Sequence, residues 1–196
     1  MELIADFEVQ AATQEDASVL AKLIVIAGDG LPLRIWEMMR EGDQDVMDVG
    51  TARAAREEGG FSYRNADVIR LNDEIASVIV SYPLLDRTSQ DDINRAPSLF
   101  HPLLELENLA VPSYYINVLA TFPHARGLGA ATSLLHSMEQ KARRANHSQL
   151  SLITGDINPA RRLYERFGFR AMARRRISKD GWDYAGDEWL LYIKDL

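Results

Sequence analysis

The chain contains no cysteine, which excludes disulfides, thiol nucleophiles and cysteine metal sites. It also lacks a long hydrophobic run: no stretch approaches the roughly 20 apolar residues that a membrane-spanning helix needs. The first residues, Met1-Glu2-Leu3-Ile4-Ala5-Asp6, have neither a basic start nor an apolar block, so no signal peptide is expected. Positive charge is in deficit. Lysine and arginine number 22 against 29 acids, giving a net charge of −7, which argues against a nucleic-acid-binding surface. Together these absences suit a cytoplasmic protein that partners neither nucleic acid nor membrane. His101, His124, His136 and His147 show no ligand spacing, so no metal is expected.

What is present is ordinary for a globular protein: 196 residues, 46% hydrophobic and 26% charged, enough for one domain over 1–196 with a sizeable core. Phe7 to Ala11 alternates as a first strand. Thr13 then caps an apolar-periodic helix carrying Leu20, Leu23, Ile24 and Ala27, which Gly28-Asp29-Gly30 stops. Pro32 opens a second helix and Asp45 to Glu58 reads as a third. After Gly59-Gly60 the period becomes two, and Ala66–Leu71 and Ile75–Tyr82 form a hairpin around Asn72-Asp73. Residues 83–113 hold Pro83, Pro97, Pro102 and Pro112 and a polar run. They read as a long, variable surface connection, with Pro102 to Asn108 either helix or strand.

The second half alternates strand and helix. Tyr114–Thr121 is a buried strand, and a helix from Gly127 to about Ala145 carries Leu128, Ala131, Leu135, Met138 and Ala142 on its inner face. Gln149–Ile153 is the next strand and Asn158-Pro159 opens a helix that stops at Gly168. Phe169–Ile177 and Glu188–Ile193 are the last strands, joined by a turn at Lys179-Asp180-Gly181. On a strand, Arg174, Arg175 and Arg176 point to alternate faces, which makes a solvated edge rather than a basic patch. The order implies an α/β (α+β) chain with a mixed sheet covered on both faces.

Between the Tyr114 strand and its helix lies Arg126-Gly127-Leu128-Gly129-Ala130-Ala131. A strand feeding a helix through glycines presents unpartnered N–H groups at the positive end of the helix dipole, which is a place for phosphate. The P-loop needs Gly-Lys, and no such pair occurs; the dinucleotide fingerprint fails at Thr132. What fits at every fixed position is [Arg/Gln]-x-x-Gly-x-[Gly/Ala], the pyrophosphate loop of the GNAT-type N-acetyltransferases. A second motif follows in order, Asn158-Pro159-Ala160-Arg161-Arg162-Leu163-Tyr164-Glu165-Arg166-Phe167-Gly168-Phe169. The chain thus resembles the GNAT superfamily, with residue-level matches over about Tyr114–Arg170. Asn158 and Ala160 sit one residue closer to Tyr164 than is commonest. Val118 stands near the position where the family often carries a glutamate base, and valine cannot take a proton.

The resemblance implies a GNAT fold with a mostly antiparallel central sheet, and acetyl-CoA or a related acyl-CoA as co-substrate. Its pyrophosphate would lie on the N–H groups of Gly127, Leu128, Gly129, Ala130, Ala131 and Thr132, with Arg126 adding charge. Leu119, Ala120 and Thr121 would pair their backbone with the pantetheine arm. With that spacing Asn158 would approach the cofactor differently or only through water, and Arg161 could reach a phosphate. Tyr164 would protonate the departing thiolate. For the amine, Asn117 or Tyr115 would orient a water with Glu107 as a remote base, and Trp36, Phe61 and Tyr63 would shape the acceptor pocket. The acceptor, a small molecule or peptide amine, is not named by these residues, and a homodimer is left open. The rival expectation is a non-catalytic acyl-CoA-binding sensor.

Overall fold

A computed structural model describes residues 7–196. They form seven strands and seven α-helices. Strand β1 (Val9–Ala11) precedes α1 (Ala17–Ala27), α2 (Leu31–Met39) and α3 (Val46–Ala54). Strands β2 (Ala66–Leu71) and β3 (Glu74–Leu84) follow, then α4 (Gln90–Arg95), α5 (His101–Ala110) and β4 (Ser113–Thr121). The chain closes with α6 (Ala130–Arg144), β5 (Gln149–Gly155), α7 (Arg161–Arg166), β6 (Arg170–Arg176) and β7 (Glu188–Asp195). The strand order is β1-β2-β3-β4-β5-β7-β6. Strand β4 pairs parallel with β5, while β1/β2, β2/β3, β5/β7 and β6/β7 are antiparallel. The sheet is mixed, as the element order implied, and mostly antiparallel, as the family resemblance implied.

The chain forms two compact units, with β3, β4 and α6 each contributing residues to both. The first takes the described residues up to Ser81 together with Asn117–Met138. Its core joins Leu20, Leu23 and Ile24 of α1 with Trp36, Val49, Val68, Val78, Val118 and Ala120. Each fully buried aliphatic side chain contributes about 1.5–3 kcal/mol. Trp36 lies so close to α3 that a Cβ on Gly50 would clash with its ring. The Asn72-Asp73 turn has φ of 51° and 67°, the left-handed pair of a two-residue hairpin turn. At the start of α1 the Thr13 N–H donates to Asp16 at 2.8 Å, and Arg70 of β2 donates to both Asp16 oxygens at 2.8 and 2.9 Å. Burial alone would raise the Asp16 pKa; the Thr13 and Arg70 donors more than offset this and hold it below the usual value.

The second unit comprises Tyr82–Ile116 and Glu139–Leu196. Residues 83–113, expected to be a long surface connection, carry two helices, and the Pro102–Asn108 stretch left open between helix and strand is helix. Strand β3 runs through Pro83 to Leu84, Ser89 caps α4 by accepting from the Asp92 N–H, and α5 follows. Pro102 stands in the first turn of α5, where its missing N–H costs nothing. Pro102, Leu106 and Ala110, four apart, form the buried face of α5, and the helix packs on β5, β6 and β7. On edge strand β6, Arg174 pairs with Glu188 at 3.3 Å and Arg175 with Glu105 at 2.6 Å. Between β6 and β7, Trp182 stacks on Tyr184 at 4.4 Å and on Trp189 at 5.6 Å.

Candidate active site

Strand β4 ends at Thr121, and one tight turn over Pro123–Ala125 leads to the glycines. Gly127 and Gly129 have φ of 79° and 95°, left-handed values that a side chain would strain. A Cβ on Gly127 would meet no heavy atom within 4 Å, so this glycine is needed for its conformation and leaves the backbone open. Helix α6 begins at Ala130, and the Gly129 carbonyl accepts from the Ser133 N–H at 3.0 Å. The N–H groups of Ala130, Ala131 and Thr132 are therefore those with no partner within the helix. Such a turn fits a pyrophosphate. Leu128, expected on the inner face of the helix, is 51% exposed because it lies between the two glycines, before the helix starts. Arg126 is exposed and its Nε donates to the Thr121 carbonyl at 3.2 Å.

Further back on β4, the Ala120 carbonyl accepts from Ser77 Oγ at 2.8 Å, and that hydroxyl also meets Thr121 Oγ1 at 2.7 Å. Asn117 and Leu119 are half-buried, alternating with the buried Val118 and Ala120. Trp36 is 2% exposed and belongs to the core. Tyr63 donates to Glu57 Oε1 at 2.6 Å with the Arg64 guanidinium over its ring, and half-buried Phe61 packs against the same core as Trp36.

In the second unit, Asn158 Oδ1 accepts from the Ala160 N–H at 2.8 Å, an Asx turn that leads into α7. The Arg161 guanidinium is engaged internally: it donates to the Asp156 carbonyl and, at 3.1 Å, to the Tyr192 hydroxyl. The Tyr192 hydroxyl in turn donates to Glu165 at 2.8 Å. Tyr164 is 7% exposed and its ring sits among Phe169 and Tyr192, with centroids at 6.1 and 6.3 Å.

The same unit brings Glu107 and Tyr115 together. The Tyr115 hydroxyl hydrogen-bonds the Glu107 carboxyl, and the Tyr115 ring meets Tyr82 edge-on at 5.7 Å. Part of the Glu107 side chain stays exposed, but burial of the carboxyl pushes its pKa up to about 7, against a partial lowering by the Tyr115 donor. Burial and the Glu107 charge push both phenols above their usual values. Sequence reasoning did not single out Tyr82 as a site residue, although a tyrosine on a strand has a hydroxyl that needs company. Among the described residues, no group of three or more histidines and acids could hold a metal ion, and no helix is long and apolar enough to cross a membrane.

Solved structures share the fold. One described as an acetyltransferase is 19% identical, with 96% of this chain and 98% of that one covered and a TM-score of 0.65. An N-acetyltransferase from Staphylococcus aureus Mu50 is 21% identical over 95% and 99%, with a TM-score of 0.63. The polyamine N-acetyltransferase of Drosophila melanogaster, which forms N-acetylagmatine, is 15% identical over 97% and 100%, with a TM-score of 0.67. No curated protein matches by sequence. The model of the acetyltransferase (GNAT) family, however, matches residues 52–169, a span that takes in both the glycine turn and most of the Tyr164 motif. The chain belongs to the acetyltransferase (GNAT) family and is an N-acetyltransferase.

Proposed function

We propose that the protein moves an acetyl group from acetyl-CoA to a primary amine by direct attack in a ternary complex, with 1–196 acting as one functional domain. The observation that carries this is the left-handed Gly127–Gly129 turn at the head of α6, whose open N–H groups suit the pyrophosphate of the donor. Arg126 adds charge there, and the Leu119–Thr121 backbone lines the pantetheine arm. Of the Asn158 and Arg161 side chains, each already engaged, the first acts through the turn it caps and the second by fixing the Asp156 loop. Tyr164 gives its proton to the departing sulfur, and Asn117 orients a water near the amine. Holding amine and thioester together removes the entropy of encounter, which supplies much of the rate.

Thermal stabilisation by acetyl-CoA tests the donor. At 100 times its dissociation constant a ligand adds about 2.7 kcal/mol of stability; no shift with saturating acetyl-CoA or longer acyl-CoAs would overturn the assignment.

A further inference from the structure

Tyr164, the proton donor to the departing sulfur, is carried by α7, and proton transfer tolerates little misplacement of donor and acceptor. Helix α7 spans six residues. So short a helix does not hold itself, because nucleation costs more than its few internal hydrogen bonds return. Its place is set by what it is tied to. Those ties converge on one phenol for which acetyl transfer has so far no use, Tyr192 of β7.

Tyr192 is 1% exposed. Strand β7 is paired on both sides, with Tyr192 opposite Leu152 of β5 and Ala171 of β6, so its backbone is fixed by two neighbours. Arg161 and Glu165 lie about one helical turn apart and share a face of α7. Arg161 Nε donates to the Tyr192 hydroxyl at 3.1 Å, and that hydroxyl donates to Glu165 Oε1 at 2.8 Å. The direction of each bond is forced. A guanidinium has no acceptor, so the single phenolic proton goes to the carboxylate. Burial raises the Tyr192 pKa, against the opposing pull of Arg161, and the proton is therefore present at neutral pH. The same guanidinium donates to the Asp156 carbonyl, and the Asp156 N–H donates to the Glu188 carbonyl at 2.9 Å. Both α7 and the loop that leads into it are thus tied to β7. Direct attraction between Arg161 and Glu165, 4.0 Å apart and partly exposed, is worth little by itself; the phenol between them makes it an anchor. Tyr164 precedes Glu165 on the helix, and its ring lies 6.3 Å from the Tyr192 ring at 52°.

We propose, resting on the reading of Tyr164 as proton donor, that Tyr192 is its positioning residue: the hydroxyl held between Arg161 and Glu165 sets the rotation of α7 on β7, and with it the stance of the Tyr164 phenol. Tyr192 itself exchanges no proton with the reactants. As the C–S bond breaks, its electron pair stays on sulfur, which takes the Tyr164 proton. The nitrogen proton released as the amide forms restores that phenol. Loss of the Tyr192 oxygen leaves both steps chemically possible and changes only the geometry of the first.

Acetyl transfer to an amine that wild type turns over is measured for wild type, Tyr192→Phe, Tyr164→Phe and the double variant, reading kcat and the acetyl-CoA KM separately. Tyr192→Phe keeps the ring and removes both hydrogen bonds. Its kcat is expected to fall about 10-fold, a part of the roughly 100-fold that loss of the Tyr164 proton costs, with the acetyl-CoA KM unchanged. In the Tyr164→Phe background the same substitution should cost nothing more, because a positioning residue has no effect once the group it positions is gone. A merely structural role would lower kcat by the same factor in both backgrounds. That result, or an unchanged kcat in Tyr192→Phe, would overturn the proposal. If Tyr192→Phe does not fold, Glu165→Leu, at an exposed position, removes the acceptor alone and enters the same cycle with the same two outcomes. An unchanged kcat in Tyr164→Phe would instead overturn the Tyr164 role on which the proposal rests. Wild type that binds acetyl-CoA but turns over no amine would overturn acetyl transfer, and the proposal with it.

Discussion

Replacing Glu107 by glutamine should make the protein more stable, and only above acid pH. The Glu107 carboxyl has its pKa raised from 4.5 to about 7 by burial, with the Tyr115 hydrogen bond working against that rise. A carboxyl that binds its proton more tightly when folded gives the folded state the larger proton count between those two values, so stability falls as pH rises through that window. The contribution of the protonated form is complete below pH 4.5 and lost above 7. At 1.36 kcal/mol per pKa unit, the difference amounts to about 3 kcal/mol. Glutamine keeps an acceptor for the Tyr115 hydroxyl and never ionises, so the variant should match wild type near pH 4 and exceed it by about 3 kcal/mol at pH 8. For a chain of this length that is a rise in Tm of roughly 6–12 °C. Urea unfolding of both proteins at half-unit steps from pH 4 to 8 reads the effect directly. A stability difference that stays flat across the series would refute the reasoning, because it would mean that Glu107 titrates as an ordinary surface carboxylate.

Three further outcomes follow from named contacts. Tyr164→Phe keeps the ring packing against Phe169 and Tyr192 and should lower kcat by about 100-fold while leaving acetyl-CoA affinity unchanged; an unchanged kcat would remove Tyr164 from the proton path. Gly129→Ala forces a side chain into φ of 95°, a strain of about 1–2 kcal/mol, and should weaken the acetyl-CoA thermal shift; full retention of the shift would separate the turn from the donor. Gly50→Ala drives a methyl into the Trp36 ring and should cost about 1–3 kcal/mol by urea unfolding, with no loss expected if the ring can step aside.

The sequence was most legible where spacing and backbone chemistry coincide. The hairpin at Asn72-Asp73, the strand into the glycine turn and the alternation that separates Tyr115 from Tyr114 and Ile116 all rest on local rules, and the strands lie where those rules place them. Helix α5 was not legible. Leucines at 103, 104, 106 and 109 blur its single buried face, and Pro102 reads as a breaker although in a first turn it is tolerated. The pairing of Glu107 with Tyr115 joins α5 to β4 across a turn, and the bracing by Tyr82 needs the β3 register; neither has a local signature. The same holds for Trp36. An aromatic on a helix after a glycine stop resembles a pocket residue until its burial against Gly50 is known.

The chain has three tryptophans, and the fold distributes them unevenly. Trp36 is alone in the core of the first unit, whereas Trp182 and Trp189 lie in the second, stacked within 9° of parallel. Two indoles at that spacing couple their transitions, so the second unit should show an excitonic near-ultraviolet dichroism that a single buried indole cannot produce. The protein thus contains two built-in spectroscopic reporters that need no label. Fluorescence of a Trp36-only variant follows one unit, and the exciton band follows the other. Whether the two signals vanish at the same urea concentration tells whether the units melt as one cooperative body or in succession.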